Sequence, residues 1–144
     1  MADFEDLHRF AADETGLCVV ATTRSDGSVH ASVVNAGLIV HPRTGVDSVA
    51  LVVRGDSAKL RHVRRAGCLS ITFRRGWRWV GCEGPAEVLD TDDLVGDAGL
   101  ASFLRDVFAA AGGTHDDWDT FDRVMVDEGR VAIVVTPNRI LGAA

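Results

Sequence analysis

The chain has 144 residues, 47% of them apolar and 25% charged, with a formal net charge of −6. That suffices for one domain with a real core, spanning 1–144, is too short for two, and excludes a disordered chain. No run of about 18 apolar residues occurs, so a transmembrane helix is excluded. The acidic, amphipathic start MADFEDLHRF lacks the apolar stretch of a signal peptide, and a cytoplasmic protein is expected.

Residues 3–14 predict a short helix with Phe4, Leu7, Phe10 and Ala11 on one face and Gly16 as its stop. LCVVATTR (17–24) reads as a strand, and RSDGSV (24–29) as a hairpin turn with Asp26-Gly27 at its tip. The next run alternates at first, with Val29, Ala31 and Val33 pointing one way and Ser28, His30 and Ser32 the other. It ends at the turn HPRTG (41–45). SVALVVR (48–54) predicts another strand, and SAKLRHVRR a short helix ended by Gly67. CLSITFRR (68–75) and WRWVGCEGPAEVL (77–89) form a hairpin around Gly76. The acid-rich residues 90–99 lead into a helix with an apolar stripe of Leu100, Leu104, Val107, Phe108 and Ala111. A further helix is expected to start near Thr114 and to use Trp118, Phe121 and Met125. RVAIVVTPNRILG (130–142) closes the pattern as a nearly continuous strand interrupted by Pro137. Six or seven strands and three or four helices, in hairpins rather than alternation, predict an α+β protein, mainly β. The expected form is an antiparallel barrel or sandwich with flanking helices.

The three cysteines, Cys18, Cys68 and Cys82, are odd in number and widely spaced, which supports neither a disulfide framework nor a metal site. No dinucleotide-binding or phosphate-loop glycine motif is present. Histidines 30 and 62 fall near the basic segment described next, but spacing assembles no nucleophile, base and acid into a catalytic set. That absence favours a cofactor doing the chemistry while the protein supplies position and electrostatics.

Charge is unevenly distributed. Between residues 54 and 78, Arg54, Lys59, Arg61, Arg64, Arg65, Arg74, Arg75 and Arg78 stand against Asp56 alone. This window carries +7, and the remainder of the chain −13. A nucleic-acid partner is disfavoured, because such an acidic remainder repels a polyanion. Arg61, Arg64 and Arg65 sit late in the short helix, where cations complement the negative end of its dipole. Lys59 sits in the first turn, where a cation opposes the dipole at a cost of ~0.3–1 kcal/mol. Two readings stand for it: a solvated surface lysine, or a ligand for a phosphate. Such a phosphate would also accept from the amides of Ala58 and Lys59 and from the Ser57 hydroxyl. Either Asp56 or Ser57 serves as the N-cap. In GWRW (76–79), a strand would place Trp77 and Trp79 on one face, for stacking on a planar ligand, for a subunit interface, or for ordinary packing.

These segments resemble the pyridoxamine 5′-phosphate oxidase-like split-barrel superfamily. Within it, the chain is most similar to the actinobacterial flavin/deazaflavin oxidoreductase B group. The matching pieces are VATTRSDGSVHAS, SAKLRHVRRAGCLSI, GWRWVGCEGPAEV, THDDWDTFDRVMV and RVAIVVTPNRILG, in the family order. The resemblance implies a six-stranded antiparallel split β-barrel with flanking helices, forming a homodimer with cofactor sites at the interface. It implies coenzyme F420 as cofactor, with FMN as the alternative, and hydride transfer from the reduced deazaflavin to a small unsaturated or quinone-like acceptor. It places Lys59 and Ser57, with Ala58, on the cofactor phosphate, and Trp77 near the ring or the dimer contact. Arg61 is a candidate for the charged tail, with Arg64 and Arg65 beside it. Members of the group often carry Arg at the position of Ser57, and Arg61 or Arg54 is then the expected substitute contact. The segment that binds substrate in true pyridoxamine phosphate oxidases has no counterpart after the final strand, so that reaction is not expected. A non-catalytic F420 or flavin carrier is the reading from a different class.

Overall fold

In the computed structural model, which describes residues 1–94 and 99–143, helix α1 (Phe4–Asp13) opens the chain. Asp3 and Asp6 bond reciprocally to each other's backbone amides, and Leu7, Phe10 and Ala11 bury the expected face. Strands β1 (Leu17–Thr23) and β2 (Val29–Asn35) form the predicted hairpin, in register from Leu17–Asn35 to Thr23–Val29. The Asp26 carboxylate accepts from the amide and hydroxyl of Ser28, and Gly27 takes the positive φ that the turn requires.

The apolar run 29–40 does not continue as one strand. It breaks at Ala36 and resumes as β3 (Gly37–Val40), which pairs with β4 (Asp47–Val53). The Ala36 amide donates to the Gly16 carbonyl at 2.8 Å, and a Cβ on Gly16 would come within 2.2 Å of the Ala36 oxygen. That backbone clasp is open only to glycine at position 16, and it hands the chain from one part of the sheet to another.

Helix α2 (Ala58–Ala66) follows, closed by Gly67 in the left-handed region. Strands β5 (Cys68–Arg75) and β6 (Arg78–Leu89) make the next hairpin. Helices α3 (Gly99–Ala110) and α4 (Trp118–Asp127) precede β7 (Val131–Val135) and β8 (Arg139–Ala143). Of the acid-rich lead-in, Asp90 to Asp93 form a self-bonded turn, and residues 95–98 lie outside the described residues. The expected start of the next helix near Thr114 moves to Asp117, whose carboxylate accepts from the amide and hydroxyl of Thr120.

The strand order is β2-β1-β5-β6-β7-β4-β3, antiparallel throughout, with β8 also on β6. The fold is the antiparallel split-barrel type with flanking helices, but it has eight strands rather than six, and the sheet is not closed. The six apolar runs of the sequence supply the strands, and two of them break in two. Run 29–40 divides at Ala36, and run 130–142 divides at Pro137, which has no N–H for a ladder. Around that proline, Thr136 donates to Pro85 and Asn138 to Glu83, so β7 and β8 lie along one edge of β6 with a bulge between them.

Two apolar clusters result. One fills the barrel with α1, α2 and the inward residues of the strands, among them Val20, Val49, Leu51, Leu60, Ile71 and Ile133. The other lies between the far face of β4 and β7 and helices α3 and α4, using Ala50, Ala132, Val134, Phe103, Leu104, Val107 and Phe121. The Arg105–Asp122 ion pair joins α3 to α4.

Candidate cofactor site

Helix α2 begins at Ser57, which is the N-cap by its extended φ and ψ, yet its hydroxyl makes no capping bond. No acid stands in the first turn of α2. The first-turn amides and the Ser57 hydroxyl are therefore left for something else to satisfy. Ala58 provides one of those amides, and Lys59 comes next. Its Nζ donates to Ser32 Oγ of β2 at 3.0 Å, which holds the half-buried ammonium between helix and strand. Ser57, Ala58 and Lys59 are consecutive, and the structure sets against Lys59 a residue that sequence reasoning did not assign to the site, Ser32 of β2.

Ser32 lies on the inner side of β2, paired across the hairpin with Val20. His30 precedes it on the same side, and the Thr22 opposite His30 accepts or donates to His62 Nδ1 of α2 at 2.8 Å. The His30 and His62 rings meet edge to face, 5.5 Å between centroids. His30 Nδ1 is buried without a hydrogen-bond partner among the described residues. Burial, reinforced by His30, Arg65, Arg24 and Arg61, pushes the pKa of His62 below the usual imidazole value. Lys59, His62 and Arg65 thus fall along one side of α2, facing the β1–β2 hairpin.

The arginines divide. Arg64 reaches Asp90 at 3.5 Å, and Arg65 bonds to the Thr23 carbonyl, so both are occupied at the C-terminal end of α2. Arg54 pairs with Glu128 at 3.2 Å and Asp56 at 3.5 Å, which weakens it as a substitute phosphate contact. Arg61 is exposed, and among the described residues it donates only to the Asp56 carbonyl, at 3.3 Å.

Trp77 corrects the strand reading. It occupies the β5–β6 turn beside Gly76 rather than β6, so it does not share a strand face with Trp79. Its side chain is 97% exposed. Gly76, with φ +59°, makes the tight turn that lifts the indole off the sheet. The turn follows the Arg75–Arg78 pair, at the end of the hairpin beside α1, where both arginines lie over the Phe10 ring. Trp77 and the start of α2 thus stand on separate elements.

Cross-strand register defines the outer face of the same sheet. Val33, Val19, Thr72, Gly81 and Leu141 form one row across β2, β1, β5, β6 and β8. Val29, Leu17 and Trp79 belong to the same face, and all the large apolar members are exposed. A groove of about 590 Å³ opens there, lined by Ala21, Val29, Cys68, Ser70, Glu83 and Arg139 among others. Because side chains alternate along β2, the Lys59–Ser32 contact and this apolar face occupy two sides of one strand. Among the described residues there is no cluster of metal-ligating side chains, and no helix is long and apolar enough to cross a membrane.

Comparison with solved structures places this architecture among known folds. A conserved hypothetical protein of Mycobacterium tuberculosis superposes with a TM-score of 0.71 at 19% identity, covering 99% of this chain and 84% of that one. An F420 reductase gives 0.62 at 13% identity, with 98% of each chain covered. HutZ, the heme storage protein of Vibrio cholerae, gives 0.60 at 11%, covering 99% of this chain and 95% of that one. No curated protein matches the sequence. The pyridoxamine 5′-phosphate oxidase family model matches residues 4–143, nearly the whole chain, and the protein belongs to that family.

Proposed function

We propose that the protein is an F420-dependent oxidoreductase that reduces a small unsaturated or quinone-like acceptor, working as a homodimer with its cofactor at the interface. The observation that carries this reading is the start of α2. An uncommitted Ser57 hydroxyl, the first-turn amides and the Lys59 ammonium are the donors that a phosphate there would use, and no acid stands in the first turn. These donors fit the phosphodiester of F420 and equally the phosphate of FMN. Arg61, with its guanidinium exposed and weakly held, suits the negatively charged F420 tail. The family supplies a fold used for flavin-type cofactors, and a similar structure bears the name of an F420 reductase.

When bound, the reduced deazaflavin supplies the hydride. The chain's own residues bind and orient: Ser57, the amides of Ala58 and Lys59, and the Lys59 ammonium hold the phosphate, while Ser32 fixes the Lys59 side chain. The exposed apolar face suits a second copy, which would shut water from the groove beside β2. Trp77, far too exposed for a core residue, is assigned to the partner's cofactor or to the dimer contact.

The test is a fluorescence titration of wild type and Lys59→Ala with F420 and FMN. Loss of one charge-assisted phosphate bond, about 1.5–3 kcal/mol, predicts binding weaker by roughly tenfold or more. Unchanged affinity for both cofactors removes the phosphate assignment. Reduced F420 with a panel of enones, quinones and nitroheterocycles then tests turnover. Tight binding without turnover anywhere in that panel makes the protein a carrier instead.

A further inference from the structure

We propose that His30 and His62 form the inner wall of the α2 anion site and take up one proton from solvent when the anion binds, so that anion affinity rises as pH falls. The proposal rests on the phosphate reading of Lys59 and deepens it. Its basis is geometric. Ser32, which receives the Lys59 ammonium, and His30 are alternate residues on one side of β2, about 7 Å apart along the strand. Lys59 and His62 are three residues apart on α2, and so neighbours on its surface. An anion accepting from Lys59 therefore lies on the side of α2 and β2 that also carries both imidazoles. The rings touch edge to face, 5.5 Å between centroids.

The pair is prepared for a charge that the free protein does not favour. His62 is buried, and the groups facing it are His30 of β2, Arg61 and Arg65 of its own helix, and Arg24 of the β1–β2 turn, all cations or potential cations. Thr22 of β1 is a neutral partner for His62 Nδ1. Lys59 adds another positive charge nearby. Without an anion, a second proton in this setting is opposed by burial and by like charges, which hold His62 below the usual imidazole range. An anion offsets part of that positive field, which lowers the cost of a proton, and one imidazole then becomes a charged partner. His30 Nδ1, buried with no partner of its own, is a place for the proton or for a bond to the ligand. Because the rings are in contact, a charge on one opposes a second charge on the other.

Residue-specific titration of the full chain decides this. The imidazole resonances of wild type are followed from pH 5 to 8.5 in chloride, in sulfate at matched ionic strength, and with F420. Sulfate does not titrate in this range, so proton uptake with sulfate belongs to the protein. F420 carries an ionisable ring hydroxyl of its own, so its proton balance is read as the difference between wild type and His62→Gln. The expected result is an upward shift of the pair's titration by about one to three pH units under either anion. Calorimetry of F420 binding at pH 7 in two buffers of different ionisation heat is expected to show net proton uptake. His62→Gln removes that uptake and flattens the pH dependence of binding, whereas Lys59→Ala weakens binding at every pH. Titrations unmoved by both sulfate and F420 overturn the proposal. F420 binding with no proton uptake and no shift overturns it while leaving the cofactor reading intact. A shift under sulfate in a protein that binds neither F420 nor FMN leaves the anion site standing and ends the cofactor reading.

Discussion

Strands β4 and β7 and the hairpin β1–β2 are all rich in apolar residues, yet the fold treats them differently. In β4, Val49, Leu51 and Val53 point into the barrel, while Ala50 and Val52 point under α3 and α4. In β7, Ile133 and Val135 enter the barrel, while Ala132 and Val134 meet the helices. Both faces are covered by the same chain, which is why these segments read as continuous apolar runs. The β1–β2 hairpin sends Cys18 and Val20 inward, but Val19, Val29 and Val33 face outward, and no helix among the described residues shields them from solvent. The helices that cover one part of the sheet are absent from the other. A second copy, whose identical face would lie against this one, is the cover that the proposed dimer supplies.

The sharpest way to test this contrast is to damage each region in turn. Leu51 is fully buried in the barrel, so Leu51→Ala is expected to cost about 2–5 kcal/mol in denaturant unfolding, the range for a large core truncation. A loss well under 1 kcal/mol would show that β4 is not the covered strand described here. Val33, 66% exposed in a single chain, is expected to behave in another way. Val33→Asp places a carboxylate opposite Val19 in the middle of the apolar row. The far-ultraviolet spectrum should stay as in wild type, while light scattering at micromolar concentration moves from dimer to monomer. A variant that remains dimeric puts the interface elsewhere.

Much of this was legible in the residues. The α1 face, the Asp26-Gly27 turn, the Gly67 stop and the apolar stripe of α3 follow from local pattern, because each depends on neighbours a few positions away. The break at Ala36 was not legible. It depends on a backbone clasp to Gly16, twenty residues earlier, and on Gly37 lying against Ala110 at the end of α3 and Ala111 just after it. Alternation separated His30 and Ser32 from Val29, Ala31 and Val33, but it does not say which set meets a helix. Only the packing of α2 turns Ser32 into a partner of Lys59 and His30 into a neighbour of His62. Trp77 misled for a related reason. An aromatic beside a glycine reads as strand until the hairpin register puts it in the turn.

The smallest expected effect is also the one that reads both regions at once. Cys18 and Cys82 point into the barrel, and burial pushes each thiol up to about 12. At pH 8 the reactive thiolate is then only about one part in ten thousand at either position. Cys68 stands at the start of β5, exposed, on the rim of the outer groove. Native protein should accordingly take one alkyl group from iodoacetamide, at Cys68, and three after denaturation, as counted by intact mass. Two or three additions to the native protein would mean that the barrel opens far more readily than its packing implies. The rate at Cys68 adds the decisive comparison. If the outer face is covered by a second copy, labelling of Cys68 is slower in the wild-type dimer than in Val33→Asp, while Cys18 and Cys82 stay unlabelled in both. Equal rates at Cys68 would place that thiol outside the covered area and confine the interface to the β1–β2 side of the sheet.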